Sequence, residues 1–100
     1  MPLGLPQLPS SAPAYRVPWR VLRTDRAHPL VLNGGDEPVD FVRVFHDDPD
    51  AGIVTDLWGQ VLPSERVELC LCATDLDDVV VTLAWFRPDD GLEYVWRFVV

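Results

Sequence analysis

The run Leu92-Glu93-Tyr94-Val95-Trp96-Arg97-Phe98-Val99-Val100 alternates large apolar side chains with smaller or charged ones at a period of two. That is the period of a β-strand with one face buried. The run before it, Val79 to Phe86, is almost wholly β-branched or aromatic, the composition of a pleated, packed surface. Between them, Arg87-Pro88-Asp89-Asp90-Gly91 supplies the proline, carboxylates and glycine that a chain reversal uses. The two runs are predicted to form a hairpin.

Five further runs of the same kind precede this pair: Trp19 to Thr24, His28 to Asn33, Val39 to His46, Ile53 to Leu62 with a bend at Gly59, and Glu65 to Ala73. Segments rich in Gly, Pro, Asn and Asp separate them, such as Asn33-Gly34-Gly35-Asp36-Glu37-Pro38 and Asp47-Asp48-Pro49-Asp50-Ala51-Gly52. No apolar pattern of helical period runs long enough to be a helix. The expected fold is therefore all-β, a seven-stranded antiparallel sandwich over residues 19–100. The alternation turns Val67, Leu69, Leu71 and Ala73 inward, together with Val79, Val81, Leu83 and Trp85 and with Leu92, Tyr94, Trp96 and Phe98. Trp19 and Trp58 are expected to join them. In Val39 to His46 the inside is contested, since Val39, Phe41 and Phe45 compete with Val42 and Val44.

Residues 1–18 hold five of the ten prolines, so this segment is expected to be an extended arm and neither helix nor central strand. It carries Leu3, Leu5, Leu8 and Tyr15, which could lie against the sandwich. There is something for them to cover. Val80, Phe86, Val95 and Val99, with Cys70 and Cys72, fall on outward positions, more apolar surface than a free sandwich shows. The first four are the candidate partner-binding residues, and the occupant is the arm, a second copy of the chain or another protein.

Sixteen acidic residues against eight basic ones leave a net charge of −8, which repels phosphate backbones and anionic lipid. Nucleic-acid and membrane partners are accordingly not expected. All eight basic residues are arginine, the bias of a GC-rich bacterial genome. The first twenty residues lack the basic start and unbroken apolar core of a signal peptide, and two unpaired thiols favour a reducing compartment, so a cytoplasmic location is expected. Cys70 and Cys72 sit two apart on a strand, side chains parallel, with Cα atoms about 6.6 Å apart; they are read as free thiols that do not converge. A Cys-x-Cys pair can hold half of a zinc or copper site, but there is no second Cys pair and only the two histidines could complete it. The expectation here is two small strand side chains.

Leu30-Val31-Leu32-Asn33-Gly34-Gly35-Asp36-Glu37-Pro38-Val39 and, later, Val61-Leu62-Pro63-Ser64-Glu65-Arg66-Val67-Glu68-Leu69 resemble the paired turns of bacterial immunoglobulin-like domains. Those domains are similar to fibronectin type III and cell-adhesion-related (CARDB-like) sandwiches, and the resemblance covers residues 19–100. It departs at Ser64, where such turns carry glycine. The resemblance implies a fold, and for its members mostly roles as spacers, adhesion modules or binding partners. It implies no catalytic residues.

If successive strands are antiparallel, the loops at 24–28, 46–52 and 74–78 share one end of the sandwich. That pole gathers Asp25, Asp47, Asp48, Asp50, Asp75, Asp77 and Asp78 with His28 and His46. Asp47, Asp48, Asp50, Asp75 and Asp77 are the candidate metal ligands. Calcium, which takes about six to eight oxygens, is the cation they would suit. Catalysis is not expected: Ser10, Ser11 and Ser64 lack a nucleophile-elbow context, and no glycine-rich loop leads into a helix. The reading is a non-catalytic protein-interaction or structural module without a cofactor, acting through a sheet face or edge, the acidic loops or the arm. Its alternative is a calcium- or other divalent-ion-binding sandwich.

Overall fold

A computed structural model describes residues 15–48, 50, 52–72 and 75–100. Its seven strands are β1 (Trp19–Leu22), β2 (Leu30–Asn33), β3 (Val39–Asp48), β4 (Gly52–Val61), β5 (Arg66–Glu68), β6 (Val80–Phe86) and β7 (Glu93–Val99). Every pairing is antiparallel. They form a three-stranded sheet in the order β1-β2-β5 and a four-stranded sheet in the order β4-β3-β6-β7. Among the described residues there is no helix, and hence none long and apolar enough to cross a membrane. Residues 1–14, on which most of the expected proline-rich arm falls, lie outside the described residues, as do Pro49, Ala51, Ala73 and Thr74.

One core joins the two sheets. Trp19 and Val31 come from the smaller sheet, Val39, Val42, Val44, Val61, Val81, Leu83, Trp85 and Phe98 from the larger, and Leu69 and Leu71 from the segment after β5. The predicted inward sets Val79, Val81, Leu83, Trp85 and Leu69, Leu71 are buried. The third set is only partly so. Phe98 is buried, Tyr94 and Trp96 are half-buried, and Leu92 is exposed. The reason is position: β7 is the outermost strand of its sheet and Leu92 precedes it, in the turn.

The contest in β3 is resolved by a bulge. The β3–β4 register slips between Val39 and Val42, and Phe41 takes a left-handed φ of 53°. The extra residue returns Val42 and Val44 to the same side as Val39, and turns Phe41 out. Gly59, paired with Val42, has φ 73°, a conformation without steric cost only for glycine; this is the bend expected in β4.

Asn33 closes the end of β2. It is fully buried, donates from Nδ2 to the carbonyls of Glu37 (3.0 Å) and Val61 (3.1 Å), and accepts from the Gly35 N–H at 3.0 Å. Both of its amide protons and its oxygen are thereby used. It ties the turn after β2 to the last residue of β4, across the two sheets. Just beyond, Leu62-Pro63-Ser64-Glu65 reverses the chain, with Glu65 N–H on the Leu62 carbonyl at 3.0 Å and φ 68° at Ser64.

Candidate functional site

The strand expected over Glu65 to Ala73 is regular only for the three residues Arg66–Glu68, because Pro29 and the turn before it interrupt the partner strand. Pairing continues without a regular ladder: Leu69 N–H donates to the Pro29 carbonyl at 2.9 Å and Leu71 N–H to that of Ala27 at 2.7 Å. Continuing the Leu30–Glu68 register sets His28 opposite Cys70. Since Leu69 and Leu71 are buried, alternation places Cys70 and Cys72 on the outer face of the smaller sheet, where both are exposed.

His28 meets the thiols there. Cys72 Sγ lies 2.8 Å from His28 Nε2 and 2.9 Å from Cys70 Sγ. The three potential ligand atoms all fall within 4.8 Å of one another. On the far side of the ring, His28 Nδ1 is 3.1 Å from Asp25 Oδ2; a carboxylate only accepts, so Nδ1 carries the proton and Nε2 faces the sulfurs. Asp25 also orders the turn: its Oδ1 accepts from Ala27 N–H at 3.0 Å and its carbonyl from His28 N–H at 3.0 Å.

These contacts bias protonation. The hydrogen bond to Asp25 raises the pKa of His28, with the Cys70 sulfur adding to it, and the same bond lowers that of Asp25. Cys70 is drawn down from the ordinary thiol value, first by its hydrogen bond with Cys72, whereas Cys72 is pushed up by that bond and by desolvation. Negative charge therefore favours Cys70. The expectation that the two cysteines would not converge is corrected: their sulfurs touch. The parallel geometry assumed a regular strand, and the chain has left regular strand geometry by Leu69. His28 was in view only as one of two possible partners. The signal that singles it out is its register with Cys70, whereas His46, paired with Val81 in β3, is buried.

The acidic pole forms as an arrangement of loops. Arg26 bonds Asp77 Oδ1 at 3.2 Å and the carbonyls of Leu76 and Val100 at 3.3 Å, bringing the 23–29 and 75–79 turns and the last residue together. Its carboxylates, however, serve local turns: Asp48 Oδ1 accepts from Asp50 N–H, and Asp75 Oδ1 from Asp77 N–H. Asp47 is exposed on β3. Among the described residues, the group of ligand atoms that converges is His28, Cys70 and Cys72, and it includes none of Asp47, Asp48, Asp50, Asp75 or Asp77.

The candidate partner residues do share a surface. Val80 pairs with Val99 and Ala84 with Val95, while Phe86 stands two positions further along β6, opposite Glu93. All point away from the core. On the neighbouring strands the same face carries Ile53 opposite Asp47 and Leu57 opposite Arg43, and Phe41, stacked on Phe86 with ring centroids 6.0 Å apart. Arg43 lies over both rings and pairs with Glu93. Phe41, Ile53, Leu57, Val80, Val95 and Val99 are each between 46% and 71% exposed. A depression of about 260 Å³ between Phe45, Asp47, Ile53, Val80, Thr82 and Arg97 opens on this face.

Comparison with protein-family models, curated proteins and solved structures finds no match.

The chemistry on offer therefore comes from the two surfaces themselves. One is a soft, pre-oriented donor set on the smaller sheet; the other is an apolar face with paired charges on the larger. In the cleft at the opposite pole, about 620 Å³ between residues 15–20, 34–37 and Arg87, Arg87 is already engaged. Glu37 Oε1 accepts from Arg87 Nε at 2.9 Å and the Tyr15 ring lies 4.1 Å beneath the guanidinium.

Proposed function

We propose that the protein is a non-catalytic interaction module with an immunoglobulin-like sandwich fold, and that its working surface is the outer face of the four-stranded sheet, which pairs with a second copy of the chain. The strand order supports the fold. In immunoglobulin terms β1, β2 and β5 match A, B and E, and β4-β3-β6-β7 match C′-C-F-G. The single observation that carries the role is the gathering of six large apolar side chains, each about half exposed or more, on one sheet face. Contiguous exposure of this kind is the signature of a contact surface.

The face also carries its own charge complement. Asp47 stands beside Val80 on β3 and Arg97 opposite Thr82 on β7, so a two-fold pairing centred on β6 sets each arginine toward the partner's aspartate. Such a pair steers association and fixes register more than it adds affinity. A calcium-dependent role has less behind it, since Asp48 and Asp75 cap their own turns and Asp77 pairs with Arg26.

Light scattering on the full chain over a concentration series tests the reading. A dimer is expected, reduced to monomer by Val80→Glu with Val95→Glu and weakened by Arg97→Asp. Restoration of the Arg97→Asp dimer by a second change, Asp47→Arg, would establish the register. A monomer at every concentration would overturn self-pairing.

A further inference from the structure

We infer that His28, Cys70 and Cys72 form a zinc site with one open coordination position, oriented from behind by Asp25. Three independent observations converge on it. The donors are the right kind: two thiols and an imidazole nitrogen are the ligands zinc selects, whereas calcium and magnesium demand oxygen. They are gathered from parts of the chain more than forty residues apart, by backbone bonds and not by chance contact of mobile side chains, since the carbonyls of Pro29 and Ala27 hold Leu69 and Leu71 on either side of Cys70. The third observation is Asp25. Its carboxylate fixes the Nδ1–H tautomer of His28 and leaves the Nε2 lone pair directed at the sulfurs, the carboxylate–histidine support that accompanies zinc-bound imidazoles.

The geometry needs only a small opening. A tetrahedral zinc with Zn–S of about 2.3 Å and Zn–N of about 2.0–2.1 Å holds two sulfurs about 3.8 Å apart and a sulfur and nitrogen about 3.6 Å apart. The present separations are 2.9 Å and 2.8 Å, so each must widen by under about 1 Å. Both cysteines are exposed and His28 is half-buried, so rotation about their side-chain bonds suffices and an ion reaches them from solvent. Three protein ligands leave a fourth position for water or an outside donor, the arrangement of open zinc sites as opposed to closed structural ones.

The site stands on the smaller sheet, away from the apolar face, and does not depend on self-pairing. Its test uses the reduced full-length chain, titrated anaerobically with cobalt(II) as a spectroscopic probe and then with zinc(II) as competitor. Expected are one equivalent of tetrahedral cobalt with thiolate charge-transfer absorption, and its displacement by zinc. Cys70→Ser, Cys72→Ser and His28→Gln should each abolish the charge-transfer signature or weaken zinc binding at least about a hundredfold. Asp25→Asn should weaken it about 10–100-fold while keeping the cobalt spectrum tetrahedral. Because these residues lie on the surface, circular dichroism of every variant should match the parent, and the Asp25→Asn spectrum remains diagnostic if one cysteine variant folds poorly. Overturning results are octahedral cobalt without charge transfer, binding unchanged in the Cys70→Ser Cys72→Ser double variant, retention of copper(I) with neither zinc nor cobalt bound, or a Cys70–Cys72 disulfide that persists under reductant.

Discussion

Asp25 divides its carboxylate between two tasks, capping the backbone of its own turn at Ala27 and holding the imidazole of His28. Both lower its pKa, the histidine bond more, and the reciprocal effect raises His28. The sign follows from linkage. A histidine whose folded pKa exceeds the unfolded value of about 6.5 adds stability that is complete below that value and is lost as pH rises through the folded pKa. The lowered carboxylate adds stability above its unfolded value of about 3.9, lost as pH falls through its folded pKa. In metal-free protein, proton NMR of the His28 ring should therefore give a midpoint above about 6.5, and Asp25→Asn should move it down; a parent midpoint at or below that value would remove the pair. His28, Asp25 and the cysteines are all visible in the sequence, but 42 positions separate His28 from Cys70 and no local pattern joins them. The link exists only through β2–β5 register.

At the scale of elements, turns and strands were legible to within a few residues wherever apolar alternation met proline and glycine. Legibility failed where backbone geometry departs from the regular. In β3 a bulge at Phe41 reverses the parity on which face assignment rests, and after β5 the ladder gives way to isolated bonds. The turn at Leu62 to Glu65 shows what one departure from a pattern costs. Proline at its second position and φ 68° at its third are the features of a type II turn, whose third position favours glycine; serine stands there instead. An L-residue in this region costs about 1–2 kcal/mol, while glycine loses roughly 0.5–1 kcal/mol more backbone entropy on folding. Ser64→Gly should thus stabilise the protein by about 0.5–1 kcal/mol in urea unfolding. A destabilised Ser64→Gly chain would mean that the Ser64 side chain contributes more than its backbone strain removes.

For the whole molecule, the question is what fastens two small sheets into one body. Asn33 does so from the end of β2. Tyr15, ahead of β1, does so from the N-terminal side: its hydroxyl accepts the indole N–H of Trp85 at 3.1 Å, its ring packs on Tyr94 at 4.6 Å, and Arg87 lies against both rings. Burial raises the phenol's pKa, against the hydrogen bond from Trp85. Trp85 is fully buried, so removing the hydroxyl strands its N–H in the core at a cost of about 1–3 kcal/mol. Tyr15→Phe should lower stability by that amount in denaturant unfolding. Tyr15→Phe as stable as the parent would show that water reaches the indole. The net charge of −8 opposes association of two copies at long range, so the proposed self-pairing, whose Arg97–Asp47 contacts fix register more than they add affinity, should strengthen as salt rises to screen that repulsion.

From sequence alone came the all-β class, seven strands, most of the inward side chains and the outward apolar set on β6 and β7. These depend on period and turn chemistry, which act over a few neighbouring residues. Tertiary structure alone decided the division into three and four strands, the β3 bulge, the exposure of Leu92 and the meeting of His28 with Cys70 and Cys72. Each of those depends on which distant strands pair, and at what register. A single residue of slip would send every side chain of a strand to its other face.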